Sequence, residues 1–132
     1  MTTIHLGSES EYVIVNLPST FSSGGWNQAR VEIAVSGFRG QIEPWLELRD
    51  VEKFASELSI VYESLQGQAE LHPCEEQLVL VVQAQTGGHI RVQGVAWSKA
   101  TYENKLEFSL ELDQSFLPQT LSQLKEVIAK AT

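Results

Sequence analysis

The sequence predicts an α+β domain, a mainly antiparallel sheet of about six to eight strands with two α-helices (about 50–66 and 116–131) packed on it. Two segments repeat their apolar residues at steps of three and four, the signature of an amphipathic helix. Most of the remaining chain alternates apolar and polar residues, as half-buried strands do. Short connections marked by glycine or proline join those runs, which favours antiparallel neighbours over parallel crossovers. At 132 residues, 42% hydrophobic, the chain suits one domain, residues 1–132, of a length that buries roughly 68% of its unfolded surface.

Tyr12 to Leu17 reads as a strand and Pro18 to Gly25 as a loop rich in Ser and Gly. Val31, Ile33 and Val35 alternate with Arg30, Glu32, Ala34 and Ser36, giving a half-buried strand. Gly37-Phe38-Arg39-Gly40 reads as a tight turn, after which Ile42, Leu46 and Leu48 alternate with Glu43, Trp45 and Glu47. Pro44 interrupts this run and marks an edge strand or a bulge. Such an edge either pairs across a dimer or is blocked from doing so by the proline.

The first helix runs from Arg49 to Gln66, with Val51, Phe54, Ala55, Leu58, Val61, Tyr62 and Leu65 on one stripe. Asp50 stands where an N-cap is wanted and Gly67 where a left-handed residue ends the helix. Leu78 to Val82 is apolar throughout and reads as a central strand covered on both faces. Thr86-Gly87-Gly88 turns into Ile90, Val92 and Ala96, with Gly94 read as a bulge. Leu106, Phe108, Leu110 and Leu112 alternate with Glu107, Ser109, Glu111 and Asp113, the clearest strand in the chain. The second helix follows, its start fixed by Pro118, with Asp113 and Ser115 available to its first amides and Leu117, Leu121, Leu124, Ile128 and Ala131 as its buried stripe.

Nine Lys and Arg against 17 Asp and Glu give a formal charge of −8, a field that repels phosphate backbones, so no nucleic-acid partner is expected. The first ten residues show no secretory leader and no stretch approaches the ~20 apolar residues of a membrane span. A cytoplasmic protein with no membrane partner is the expectation.

Cys74 is the only cysteine, which excludes an intramolecular disulfide, and His5, His72 and His89 form no recognised ligand pattern, so no metal is expected. His72 and Cys74 flank Pro73 but fall short of a zinc set. Glu75 and Glu76 would raise the Cys74 thiol, the reverse of what a nucleophile needs. No nucleophile elbow and no phosphate-binding glycine loop is present, and no cofactor is expected. A glycosidase-type pair would have to come from Glu43, Glu47, Glu107 and Glu111. No catalytic set is assigned, and the chain is expected not to be an enzyme. Trp45, Glu43 and Glu47 are the candidate binding residues, an aromatic–acidic patch suited to a basic protein partner. A small-ligand module with a pocket lined by Trp26, Trp45 or Trp97 is the alternative, and a structural or interaction protein without such a pocket is another.

Several stretches carry a family resemblance: Val31 to Gly40, Trp45-Leu46-Glu47-Leu48, Phe54-Ala55-Ser56-Glu57-Leu58 leading to Tyr62, Leu65 and Gly67, then Gly88-His89-Ile90-Arg91-Val92, and Leu106-Glu107-Phe108 running into Asp113-Gln114-Ser115. Over most of residues 30–130 the chain resembles the WapI-type immunity proteins of bacteria. The resemblance implies a non-enzymatic protein that neutralises a cognate toxin domain. Excess negative charge would suit a basic, nuclease-type toxin. No catalytic residues carry over, and the resemblance leaves the oligomeric state open.

Overall fold

The structure, a computed structural model, describes residues 2–18 and 25–131; most of the Ser- and Gly-rich loop expected at 18–25 lies outside them. Among the described residues, ten strands and two α-helices confirm the α+β class, with more strands than the sequence pattern predicts. They are β1 (Thr2–Gly7), β2 (Tyr12–Leu17), β3 (Trp26–Gln28), β4 (Arg30–Val35), β5 (Phe38–Ile42), β6 (Trp45–Glu47), α1 (Leu48–Ser64), β7 (Gln68–Leu71), β8 (Leu78–Ala84), β9 (His89–Trp97), β10 (Lys105–Asp113) and α2 (Leu117–Ala131). All pairings are antiparallel. One sheet runs β1-β2-β4-β5, a second β10-β9-β8-β7, and among the described residues β3 pairs with β6 alone.

That two-stranded piece is the far end of a long hairpin. Val35 faces Phe38, Val31 faces Ile42, and the same register continues to Gln28 opposite Trp45 and Trp26 opposite Glu47. Between them Ala29 N–H donates to the Pro44 carbonyl at 2.8 Å. Pro44 has no N–H to return, so the ladder loses one bond there and splits into two pieces. The proline marks an edge strand, as its position predicts, without a register shift. The tight turn is displaced from the expected Gly37–Gly40: it is Ser36-Gly37, both at positive φ (41° and 89°), while Phe38, Arg39 and Gly40 already belong to β5.

Leu17, Leu46, Leu58, Leu78, Leu80, Leu117 and Leu124 are among the largest fully buried side chains, drawn from both sheets and both helices. Interior β8 buries Leu78, Leu80 and Val82 but leaves Val79 and Val81 half-buried, so this strand is closed on one face rather than two. Gly94 makes no bulge; β9 keeps continuous register through it. Its cross-strand neighbour Phe108 lies over it, and a Cβ at Gly94 would stand 2.2 Å from the ring. The glycine is there to receive an aromatic ring.

Both helices differ from expectation at particular residues. Glu47 is the N-cap of α1, and Asp50, three positions in, accepts from the Glu47 N–H at 3.0 Å. Carboxylates serve at either place, which is why the sequence does not separate them. Leu65, not Gly67, is the first left-handed residue after α1 (φ 54°), its N–H bonded to Val61 O. With the helix ended at Ser64, Tyr62 and Leu65 are exposed, and Val51, Phe54, Leu58 and Val61 form the buried stripe. In α2 the fully buried residues are Leu117, Thr120, Leu124 and Val127; Leu121 and Ile128 flank them, half-buried against the core, and Ala131 is half-buried at the end. Thr120 can be buried because its hydroxyl donates to the His5 carbonyl at 2.6 Å. Asp113 does cap the approach to α2, accepting from Ser115 N–H at 2.8 Å; the Ser115 bonds hold its carboxyl below the ordinary range.

Candidate functional site

Alternation along the long hairpin puts Arg39, Gln41, Glu43 and Trp45 on its outer face. All four are exposed, Trp45 by 42%. Trp45 and Glu43 line an open cleft of about 340 Å³ with Gln28, Gln41, Gln77 and the Ser98–Ala100 segment. Gln28 Nε2 donates to the Glu43 carbonyl at 3.0 Å, and Gln77 Nε2 to the Trp97 carbonyl at 3.2 Å. Across the cleft Lys99 is matched by Glu103 at 3.6 Å.

Glu47 is not part of that cleft lining. Its carboxylate is half-buried at the start of α1, takes Arg49 at 3.0 Å and lies 4.0 Å from Cys74 Sγ. The bond to Glu47 raises the Arg49 guanidinium above its ordinary value. Trp26 and Trp97 stand outside the cleft too, so the three tryptophans do not converge on one pocket. Trp97 packs edge-on against Tyr102 at 5.1 Å with Lys105 over its ring at 5.4 Å.

The remaining chemical candidates are dispersed. His72 Nε2 pairs with Glu76, four residues along the chain, and His5 Nε2 contacts Ser8 O at 2.9 Å. Among the described residues no three His, Cys, Asp or Glu gather into a group that could hold a metal ion. Glu107 pairs with Lys105 at 2.8 Å and Glu111 with Arg91 at 3.2 Å. They stand four residues apart on one strand, about 13 Å by strand rise, beyond the spacing of a glycosidase pair.

The strongest candidate feature is distributed. Residues 47–76 carry Glu47, Asp50, Glu52, Glu57, Glu63, Glu70, Glu75 and Glu76 against only Arg49 and Lys53. Six of the eight net negative charges therefore fall on under a quarter of the chain, which folds as α1, β7 and the loop after it. The two cations are spoken for within the segment, Arg49 by Glu47 and Lys53 by Glu57 at 3.0 Å. Glu52, Ser56, Ile60 and Glu63 follow one another at steps of four, four and three, so they share a single exposed stripe of α1. Ile60 is 64% exposed at its centre. Composition hides this site because it averages over the chain; a charge sum by segment would have found it.

A model of the immunity protein WapI-like family matches residues 5–132. A search of curated proteins finds no match. No described helix is long and apolar enough to cross a membrane.

Proposed function

Because the chain belongs to the immunity protein WapI-like family, we propose that it neutralises a toxin domain with a basic surface by docking it on the acidic stripe of α1, without catalysis. The observation that carries this reading is the concentration of charge on residues 47–76, with Ile60 exposed in its midst. An anionic patch speeds the encounter with a cationic partner and suppresses wrong ones. An apolar side chain ringed by Ser56, Glu57, Glu63 and Ser64 supplies a contact that charge alone does not. Glu47 stands at the start of α1, paired with Arg49, and Glu43 and Trp45 lie on the hairpin before it. Against a nuclease-type toxin the same carboxylates compete with the nucleic acid, and the cytoplasm is where that competition takes place.

The test is binding of a cognate toxin domain, measured by calorimetry and stopped flow over a range of salt. The Glu52→Lys/Glu63→Lys variant should slow association by roughly tenfold at low salt, with the difference shrinking as salt rises. Unchanged association, in a variant with native circular dichroism, would remove α1 as the docking face.

A further inference from the structure

We propose that the β5 edge joins two copies of this chain, antiparallel about Gln41, so that their two four-stranded sheets become one of eight strands. Three observations on this hairpin lead there, none of them involving the acidic stripe of α1.

Two other sheet edges are closed by side chains from the helices. On β1, His5 N–H donates to Gln123 Oε1 at 2.6 Å and His5 O accepts from Thr120 Oγ1. On β7, Glu70 N–H donates to Glu57 Oε1 at 2.9 Å. Among the described residues β5 pairs with β4 alone, and no helix side chain reaches its backbone. A strand edge left in this state is a template for another strand.

The phase of that edge follows from the turn. A two-residue turn at Ser36-Gly37 is flanked by a hydrogen-bonded pair, Val35 with Phe38. Backbone groups of Phe38, Gly40 and Ile42 therefore face β4, and those of Arg39, Gln41 and Glu43 face outward. The Pro44 carbonyl bonds inward to Ala29 N–H, so the N–H that proline lacks is also on the inner side. Pro44 does not block the outer edge.

Side chains complete the argument. With Gln41 opposite Gln41 of a second copy, Arg39 stands opposite Glu43 of that copy and Glu43 opposite its Arg39. Every such pair belongs to the outward-bonding set, so backbone phase and charge select the same register. Other charges on this face are Glu32, across the hairpin from Gln41, and Arg30 beside it on β4. The Lys99–Glu103 pair lies across the cleft that Gln41 and Glu43 line together with Ser98–Ala100. The Glu43 carbonyl held by Gln28 has a second lone pair for the new strand.

Analytical ultracentrifugation of the full chain across a wide concentration range tests this. The expected result is reversible growth from 14.7 kDa to twice that mass. Arg39→Glu or Glu43→Arg alone should weaken the dimer roughly tenfold, since two attractive cross-strand pairs become repulsive. The Arg39→Glu/Glu43→Arg double variant should recover it. Gln41→Pro, which removes an outward N–H and no bond to β4, should be monomeric. A wild-type monomer at the highest soluble concentration overturns the proposal, as does a dimer that survives Gln41→Pro or that the double variant fails to restore. If Gln41→Pro does not fold, as judged by circular dichroism, the charge-swap series decides alone.

Discussion

At the β1 edge α2 supplies two neutral side chains, and at the β7 edge α1 supplies one carboxylate. The first arrangement is interior: Thr120 is fully buried, and with Gln123 it satisfies both backbone groups of His5. The second is at the surface, where Glu57 holds the Glu70 N–H and at the same time pairs with Lys53. The difference shows that a helix can protect a strand edge in two ways. A buried neutral bond is costly to break and indifferent to pH; a charged one at the surface is weaker and titrates.

Breaking the neutral side should have the larger effect. Thr120→Val keeps the shape and leaves the His5 carbonyl without its donor, at a cost of about 1–3 kcal/mol in urea-monitored stability. Gln123→Ala exposes the His5 N–H, only part-buried, and should cost about 1 kcal/mol in the same experiment. A Thr120→Val protein as stable as wild type would mean that the hydroxyl contributes nothing to closing the edge.

The charged side should respond mainly to acid. Partial burial pushes the Glu57 carboxyl up, but the Glu70 amide and Lys53 together outweigh it and leave the group below its ordinary 4.5. A carboxyl lowered on folding stabilises the folded state above its unfolded value, and that contribution disappears as pH falls through the folded one. Glu57→Gln keeps an acceptor for Glu70 without the charge. It should cost about 0.5 kcal/mol or less at pH 7, and the gap from wild type should close on titration from pH 5 downward. A gap that stays constant with pH would assign the effect to packing instead.

Much of this was written plainly in the sequence. The apolar stripes of α1 and α2, the alternation of β10 and the strand at Tyr12–Leu17 all follow from local periodicity, because each is long enough for its period to show. β3 and β7 were hidden for the opposite reason: three and four residues contain too little pattern to count. β1 was hidden because Ile4 and Leu6 are its only large apolar residues, too few for the alternation to show. Thr120 has no local signal, since it is polar and only a backbone carbonyl 115 residues away makes its burial tolerable. Of the marked residues, Glu43 and Trp45 do come together at a cleft, whereas Glu47 turns to Arg49, a partner chosen by the start of a helix rather than by strand alternation.

The bonds from Thr120 and Gln123 to His5 tie segments from opposite ends of the described chain. During synthesis β1 leaves the ribosome before α2, and the groups that shield His5 follow it by 115 and 118 residues. A nascent chain stalled before Thr120 would present β1 as a bare strand, the state most exposed to aggregation and to chaperone capture. It is α2 that makes β1 safe.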